Sequence, residues 1–363
     1  MERDSRGGGF AFNMHRLLAR SGGNIVFSPL SAAVALGMAH EGARGATAAE
    51  IAAVLGNESP AEALAKLEAT IKTGALGVAN AAWGMAGCGF LQEYIAALRD
   101  KYQADFNEAD FVNGSREAVD RINQWVSERT KGRIGRIVHS LDPMTRLLLT
   151  NAIHFKARWM DEFQKSKTVD ASFFRESGGE DKVGMMRRTG TLPYAEDDEV
   201  QAVRLRYRDA GKISMMVVLP KRRDGLADLE TKINSERCAR LAAAMEEREV
   251  RLRLPKFKAE GSFSLAGALS ELGVRSAFGM EADFSGMNGG KDLFVSEVVQ
   301  KAEIEVDEGG TEASAATAVR MMYKCCSVKK DEPPEFNADH PFLYVIRESR
   351  SGAVLFLGRQ AEF

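Results

Sequence analysis

The sequence predicts an α+β fold, because helix-like segments fill its first third and strand-like segments fill most of the rest. With 363 residues, the chain is near the upper limit of what one hydrophobic core serves. No internal repeat, low-complexity linker or sharp change in composition divides it. We therefore predict one domain over residues 1–363, with sheets that draw strands from distant parts of the chain.

Two segments in the first third have the spacing of amphipathic helices. In "ATAAEIAAVLG", Thr47 and Glu50 match a capping box, and Gly56 is placed to end the helix. In "SREAVDRINQWVSERTKG", Ser115 is a candidate cap, and apolar residues recur on one face until Gly132. Both helices are expected to pack against a core.

Strand patterns dominate after residue 145. The runs "RLLLTNAIHF" (146–155) and "ISMMVVLP" (213–220) are almost entirely apolar, as in strands covered on both faces. "VRLRL" (250–254) alternates strictly, which predicts a strand with one solvated face. Near the C-terminus, "FLYVIRES" and "GAVLFLGR" are split by "SRSG", which predicts a hairpin.

Composition and charge argue against several functions. A net charge of −2 is unfavourable for a general nucleic-acid binder. No segment approaches the roughly eighteen consecutive apolar residues of a membrane span, and the start, "MERDSRGGGF", lacks the apolar core of a signal peptide. The basic clusters "RTKGRIGR" and "PKRRDG" are typical of solvated faces, with a glycosaminoglycan or nucleic-acid site as the weaker alternative.

Catalytic and metal-binding patterns are not found in the sequence. There is no GxSxG elbow or Walker loop, and no two histidines have metal-ligand spacing, so we expect no enzyme, metal or cofactor. A structural role is the better interpretation for each of the five histidines, which are His15, His40, His139, His154 and His340.

The four cysteines are too few for a disulfide scaffold. Cys88 and Cys238 are expected to be ordinary thiols, whereas Cys325 and Cys326 form an unusual adjacent pair. A cysteine hydrolase built on Cys325 and His340 is disfavoured, because nothing nearby would activate the thiol.

Two sequons make Asn113 and Asn57 candidate glycosylation sites, although Pro60 weakens the second.

The stretch "EVDEGGTEASAATAVRMMYKCCS" (305–327) is the least typical part of the chain. From Thr311 onward, every second residue is small or apolar, whereas the interleaved set carries both charges, Glu312 and Arg320. Period two puts the sets on opposite faces of a strand, and Gly309 and Gly310 give the backbone freedom to bend. The segment is therefore predicted to serve as an exposed loop and as a central strand. A permanent strand with a flexible end explains the alternation equally well. The face predicted to be buried consists of Thr311, Ala313, Ala315, Thr317, Val319 and Met321.

Eight blocks, in order, resemble the serpin family over essentially the whole chain. They are "NIVFSPLSAAVALGMAHEGARGAT" (24–47), "LLTNAIHFKARWMDEF" (148–163), "VGMMRRTGTLPY" (183–194), "ISMMVVLP" (213–220), "LPKFKAEGSFSLAGALSELGV" (254–274), "ADFSGM" (282–287), "KAEIEVDEGGTEASAAT" (301–317) and "FNADHPFLYVIRESRSGAVLFLGR" (336–359).

This resemblance implies a fold of three sheets and about nine helices, with an exposed reactive-centre loop at about residues 308–335. It implies that a serine protease attacks the loop as a substrate and forms an acyl-enzyme. The loop then enters the large sheet and traps the protease, a step for which serpins are an established example. The hinge implied by the family pattern consists of Glu308, Gly309, Gly310, Thr311, Glu312, Ala313, Ser314, Ala315, Ala316 and Thr317.

Family spacing places the cleaved bond between Lys324 and Cys325. A lysine before that bond suits trypsin-like proteases, whose specificity pocket has a carboxylate at its base. Tyr323, which would suit a chymotrypsin-like protease, and Arg320 are the alternatives. The implied partner is a trypsin-like serine protease in a covalent acyl complex with a monomeric inhibitor.

The resemblance also implies a buried polar network that controls opening of the large sheet, formed by Ser28, Ser31, Asn151 and Gln300. Gln300 stands where the family usually has a histidine, and glutamine can form hydrogen bonds without titrating near neutral pH.

Secretion is the expected location, with a signal absent from this chain, and a cytoplasmic location is the alternative. A non-inhibitory serpin, such as a carrier, chaperone or storage protein, is the alternative function. The small residues of "GGTEASAAT" favour inhibition over that alternative.

Overall fold

The computed structural model describes residues 9–56, 59–311, 332–349 and 351–363. This part of the chain contains helices from one end to the other and two large sheets, so the predicted α+β class is confirmed. Its α-helices are Gly9–Leu18 (α1), Pro29–Gly42 (α2), Gly45–Leu55 (α3), Pro60–Lys66 (α4), Glu68–Lys72 (α5), Gln92–Tyr102 (α6), Ser115–Arg129 (α7), Leu226–Lys232 (α8), Ser235–Ala243 (α9), Ala266–Leu272 (α10) and Ser285–Asn288 (α11). Short 3₁₀ helices lie at Ala19–Ser21, Lys165–Lys167 and Ser276–Phe278.

The strands come from all parts of the chain. They are Ile25–Phe27 (β1), Leu76–Met85 (β2), Asp105–Ala109 (β3), Leu147–Phe155 (β4), Ala157–Arg158 (β5), Val169–Phe174 (β6), Glu180–Glu196 (β7), Val200–Arg206 (β8), Ile213–Pro220 (β9), Glu246–Pro255 (β10), Phe257–Ser264 (β11), Val295–Val306 (β12), Gly310–Thr311 (β13), Glu335–Asn337 (β14), Phe342–Glu348 (β15) and Val354–Gln360 (β16).

Two hydrogen-bonded sheets result. The nine-stranded sheet has the order β1-β16-β15-β9-β8-β7-β10-β14, with β6 also on β7. The seven-stranded sheet has the order β3-β2-β4-β12-β13-β5, with β11 also on β12. The long strand β7 pairs with β10 along most of its length and with β8 only at its end. It therefore joins into one path two of the three sheets that the resemblance implies.

The core is divided by the seven-stranded sheet. Helix α2 is buried along most of its length and contacts β4, β12 and β16, so it lies between the two sheets. Pro29 begins α2, and Ser28 caps it by accepting the N–H of Ser31. A second apolar cluster, which includes Trp83, Ile122 and Leu148, covers the opposite face beneath α7.

The strands predicted from apolar runs are confirmed as β4 and β9, both almost wholly buried. The alternating segment lies in β10, and the C-terminal hairpin is the antiparallel pair β15 and β16.

The capping predictions for the two helices expected from sequence, α3 and α7, are wrong in detail. Helix α3 begins at Gly45, and its Thr47 hydroxyl accepts the N–H of Asp283 at 3.0 Å. Glu50 accepts the N–H of Ser276 at 2.8 Å. Both side chains therefore tie α3 to a distant segment instead of capping it.

Helix α7 begins at Ser115 itself, with Gly114 at the cap position. The predicted ends at Gly56 and before Gly132 are confirmed.

Candidate functional site: the seam of the seven-stranded sheet

The parallel strands β4 and β12 pair directly along the centre of the sheet. Their register runs from Leu147 opposite Val295 to His154 opposite Glu303. We call this pair the seam. Beyond Glu303 the two strands diverge, and β13 lies between β12 and β5. The seam is thus closed from Leu147 to His154. At the end beyond Glu303, which we call its upper end, β13 already lies next to β12.

The occupying strand, Gly310–Thr311, consists of the first residues of the predicted loop. Thr311 pairs with Val306 on one side and with Ala157 on the other, both antiparallel. A Cβ atom at Gly310 would lie 2.2 Å from the carbonyl oxygen of Ala157. A glycine is therefore required here because the two backbones approach so closely.

Thr311 is the first member of the face predicted to be buried, and its exposed fraction is 0%. Its hydroxyl lies 2.7 Å from the hydroxyl of Tyr207, which is also buried. Burial raises the pKa of Tyr207, and the hydrogen bond with Thr311 opposes that rise only in part. Tyr207 in turn stacks on Trp159, with ring centroids 4.5 Å apart.

The backbone before Thr311 is held by a segment that we call the hinge seat, residues 157–163. The backbone N–H of Trp159 donates to the carbonyl of Gly309 at 2.9 Å, and its indole N–H donates to the backbone carbonyl of Asp307 at 3.0 Å. The N–H of Phe163 donates to the carbonyl of Glu308 at 2.8 Å. The seat therefore satisfies three consecutive carbonyls, that of Asp307 and those of the first two hinge residues, Glu308 and Gly309.

The turn that leads into β13 is stabilised from within. The carboxylate of Asp307 accepts the N–H groups of Gly309 at 2.8 Å and Gly310 at 3.1 Å. Short acidic side chains often stabilise turns in this way.

Glu308 has a buried carboxylate with two partners. It accepts the hydroxyl of Thr168 at 2.8 Å and forms an ion pair with Lys256 at 3.0 Å. Burial acts to raise the pKa of Glu308, but the hydrogen bonds from Thr168 and Lys256, a backbone hydrogen bond and the charge of Lys256 together hold the pKa below its ordinary value. The carboxylate therefore stays charged at neutral pH. It links the segment before β13 to Thr168, just before β6, and to Lys256, between β10 and β11.

In the middle of the seam, Gln300 is fully buried and makes two hydrogen bonds to the cap of α2. Its side-chain oxygen accepts the N–H of Ser28 at 2.8 Å, and its amide donates to the Ser28 carbonyl at 2.9 Å. This pairing satisfies the N–H of Ser28 and adds a second donor to the Ser28 carbonyl, which also accepts the N–H of Ala32 at 3.0 Å. It thereby links the start of α2 to β12.

Asn151 belongs to a separate pair. Its side-chain amide donates to Asn80, whose own amide donates to the carbonyl of Tyr102 at 3.2 Å. Within the described part of the chain, the buried oxygens Oδ1 of Asn151 and Oγ of Ser31 have no hydrogen-bond partner. The four residues of the implied network thus form two groups that leave acceptors unsatisfied.

His154 lies on the other face of β4, near the upper end of the seam. Burial, followed by the nearby charges of Arg133, Lys131 and Lys156, lowers the pKa of His154 to about 4. The imidazole is therefore neutral at physiological pH.

Several predicted residues lie outside the described residues. They are the bond-forming Lys324 and Cys325, the alternatives Tyr323 and Arg320, the hinge residues Glu312, Ala313, Ser314, Ala315, Ala316 and Thr317, and the sequon residue Asn57.

The other sequon and the disfavoured hydrolase residue lie within the described part. Asn113 is exposed, and its side-chain amide donates to Asp110 at 3.1 Å. His340 has both ring nitrogens engaged at 2.7 Å, by Asp339 and by the carbonyl of Pro220. Neither nitrogen is therefore available as a base for a thiol.

Within residues 9–56, 59–311, 332–349 and 351–363, no three His, Cys, Asp or Glu side chains are grouped so that they could hold a metal ion. None of the helices described has the length and apolar character to cross a membrane.

Comparisons with known proteins agree with this geometry. Residues 6–362 match the family model described as "Serpin (serine protease inhibitor)". An uncharacterized serpin-like protein of Thermococcus kodakarensis is 37% identical, over 96% of this chain and 83% of its own length. Leukocyte elastase inhibitor A of Mus musculus is 36% identical, over 96% of both chains. The structure of a tumour suppressing serpin superposes with a TM-score of 0.87 at 26% identity, over 99% of both chains.

The chain therefore belongs to the serpin family, a family of protease inhibitors. Its fold is the serpin fold.

Sequence reasoning missed most of the residues that hold the hinge, and one that contacts Asn151 in the middle of the seam. Trp159, Tyr207, Thr168, Lys256 and Asn80 were not predicted to act at the site. Asn80 was detectable as a lone polar residue in the apolar segment "LGVANAAWGM". The others become neighbours of the hinge only through the sheet, and the sequence places them 52 to 149 positions from Glu308.

Proposed function

We propose that this protein inhibits serine proteases as a suicide substrate and traps them by inserting its reactive loop into the seam. The observation that carries the proposal is β13, whose Thr311 is already paired and fully buried at the upper end of the seam. This pairing supports the proposal, because insertion would begin at this segment.

The register of β13 supports a definite path for the rest of the loop. If its antiparallel pairing with β5 continued toward β4, Thr317 would lie opposite Asn151. If its pairing with β12 continued, the same residue would lie opposite Gln300. The two ladders agree because Asn151 and Gln300 are themselves paired across the seam.

Thr317 would therefore enter on the face that carries the unsatisfied Oδ1 of Asn151. A threonine hydroxyl can donate one hydrogen bond and accept others. We propose that it satisfies this oxygen once the loop has entered, so that the middle of the seam holds a receptor for the inserting strand.

The covalent step uses the nucleophile of the protease. Its serine oxygen attacks the carbonyl carbon of Lys324 and forms an ester, the peptide bond to Cys325 breaks, and the released nitrogen takes a proton from the catalytic base. Insertion then competes with hydrolysis of the ester by water. We propose Lys324 as the specificity residue and a trypsin-like protease as the target, with cleavage after Tyr323 or Arg320 as the alternatives.

The test is incubation with trypsin, chymotrypsin, thrombin and elastase, followed by a denaturing gel and mass spectrometry of the released C-terminal peptide. We expect a shifted covalent band with trypsin and a peptide that begins at Cys325. A peptide that begins at Lys324 would move the bond to Tyr323. If every protease cleaves the loop and none forms a covalent band, the proposed inhibitory function is refuted and a non-inhibitory serpin is favoured. Elastase is included in the experiment because one relative is named a leukocyte elastase inhibitor.

We propose a cytoplasmic location in place of the expected secretion. Cys88 and Cys238 are free thiols, which persist most readily in a reducing compartment. A glycan on Asn113 of the natively expressed protein would overturn this proposal.

A further inference from the structure

The hinge seat depends for its shape on side chains from neighbouring strands. Its regular part, β5, is only two residues long, and Trp159 adds a single bridge to Tyr207. Farther along the seat, two arginines hold its carbonyls. Arg208 donates to Met160 at 3.0 Å, and Arg188 donates to Asp161 at 2.6 Å.

The two arginines differ in exposure. The side chain of Arg188 is 15% exposed, whereas that of Arg208 is 40% exposed. Burial lowers the pKa of Arg188, and Asp161 opposes this only partly, with its carboxylate 3.6 Å away and half exposed. A buried charge with so weak an ionic partner adds little to stability. The geometry that it enforces is therefore the more important contribution.

That geometry extends to the hinge itself. The guanidinium of Arg188 lies 5.9 Å from the centre of the Phe163 ring, within range of a cation–π contact. Phe163 is the residue whose N–H holds the carbonyl of Glu308. A single side chain thus fixes both Asp161 and Phe163, on either side of Glu162.

Gly190 leaves the space that this side chain occupies. A Cβ atom at Gly190 would lie 3.3 Å from Nη2 of Arg188, closer than an ordinary van der Waals contact. Alanine at this position would therefore press on the guanidinium without removing its charge.

We propose that Arg188 is a positioning residue for the hinge seat. It holds Asp161 and Phe163 so that the seat receives the hinge, and it thereby sets the fraction of protease that is trapped instead of released. This inference rests on the proposed function.

The experiment compares Arg188→Gln, Arg188→Lys and Gly190→Ala with the matched control Arg206→Ala. Arg206 lies on the adjacent β8, and its side chain pairs with Glu247 on β10 and not with the carbonyls of the seat. Two quantities are measured. The first is the number of inhibitor molecules consumed per trypsin trapped. The second is hydrogen exchange at the amides of Trp159 and Phe163, with strand β9 as the internal reference.

We expect Arg188→Gln to raise inhibitor consumption by about tenfold, as the loss of a hydrogen bond from a charged donor implies. Exchange should quicken at Trp159 and Phe163 while β9 is unchanged. Arg188→Lys should fall between wild type and Arg188→Gln, because an ammonium group lacks the planar fork of a guanidinium. Gly190→Ala should shift both quantities in the same direction by less, and Arg206→Ala should shift neither.

Unchanged trapping in all three variants would overturn the inference, as would faster exchange spread equally over β9. If Arg188→Gln does not fold, Arg188→Lys and Gly190→Ala decide by the same measures. If the wild type forms no covalent complex with any protease, the proposed function fails separately. Arg188 is then judged by exchange alone, and unchanged exchange at Trp159 and Phe163 refutes its positioning role.

Discussion

The upper end and the middle of the seam differ in how their polar groups are satisfied. At the upper end, the carbonyls of residues 307, 308 and 309 each accept a hydrogen bond from the hinge seat, and the Glu308 carboxylate has two partners. In the middle, where no third strand lies between β4 and β12, Oδ1 of Asn151 and Oγ of Ser31 are buried without partners in the described part of the chain.

This difference indicates a direction for insertion. Unsatisfied buried acceptors make a protein less stable, by about 1–3 kcal/mol each. The middle of the seam is thus less stable than it would be with a suitable strand inserted, whereas the upper end already holds the first two residues of one. Loop insertion in serpins is an established case of stored strain released by a switch. Under the proposed function, these two unsatisfied oxygens account for part of that strain.

The largest effect is expected from a charge at the upper end. Thr311→Arg would place a guanidinium where the exposed fraction is 0% and the partner is the hydroxyl of Tyr207. Burying an unpaired charge costs several kcal/mol, on the order of 3–5. We expect protease to cleave this variant and leave it, with no covalent band on a denaturing gel. Thr311→Ser is the control and should trap normally; stable complexes of the arginine variant would refute the account.

A smaller effect is expected where Gln300 holds the middle of the seam closed. Gln300→Ala removes the acceptor of the buried Ser28 N–H and one of the two donors to the Ser28 carbonyl, and we expect a loss of about 2 kcal/mol in the free energy of unfolding. Denaturant unfolding measures this loss. The companion Gln300→His introduces a titratable group whose ordinary pKa is about 6.5. The stability of this companion should change between about pH 5 and 8 more than that of the wild type. A loss below about 0.5 kcal/mol in Gln300→Ala would show that the pair with Ser28 does not hold the seam.

The third prediction compares the stability of the intact protein with that of the loop-cleaved protein, in which the middle of the seam would hold the inserted strand. Thr317→Val removes one hydroxyl at nearly constant volume, and the proposed partner of that hydroxyl is Asn151. We expect unchanged stability in the intact protein and a loss of about 1 kcal/mol in the loop-cleaved protein. Ala315→Gly, on the same predicted face but without a hydroxyl, is a control for strand packing. Equal stability of cleaved Thr317→Val and cleaved wild type would remove Asn151 as the receptor.

The smallest effect concerns pH and His154. In the folded protein the pKa of His154 is about 4, whereas its ordinary value is 6.5, so between these values the unfolded chain binds a proton that the folded chain does not. Stability from this site is therefore present above about pH 6.5 and is lost as the pH falls toward 4. After allowance for partial exposure, the loss is on the order of 1 kcal/mol.

His154→Gln should therefore flatten the fall in stability between pH 6.5 and 4, measured by denaturant unfolding at a series of pH values. The exposed His139→Gln is the matched control. If both variants lose stability as steeply as the wild type, His154 is not the group responsible.

The sequence allowed the outline of the fold to be predicted where one physical signal dominates. Continuous apolar runs predicted β4 and β9, because strands covered on both faces are typically apolar throughout. Strand β2 was not predicted, because its segment "LGVANAAWGM" is rich in glycine and alanine, which have low strand propensity. The capping box at Thr47 failed for a different reason. Its side chains fit a local pattern, but tertiary partners near Ser276 compete for them.

The site was predictable in part only. Alternation along the loop predicted a face that can be buried, and Thr311 lies buried at its start. The hinge seat could not be predicted, because the partners of the hinge, such as Trp159 and Phe163, are set by the fold and not by spacing. The division of the implied four-residue network into a Gln300–Ser28 pair and an Asn151–Asn80 pair could not be predicted either. It depends on which neighbouring side chain or backbone each residue reaches in the folded sheet.

The measurement that tests the central claim most directly is thermal unfolding of the intact and the loop-cleaved protein side by side. If cleavage lets the loop enter the seam as a central strand, the cleaved protein should unfold at a clearly higher temperature than the intact protein. In a chain of 363 residues each kcal/mol of added stability shifts the midpoint by about 1–2 °C, so a gain of several kcal/mol is measurable. Cleaved Thr311→Arg should show little of this rise. Equal unfolding temperatures for intact and cleaved wild-type protein would contradict insertion into the seam.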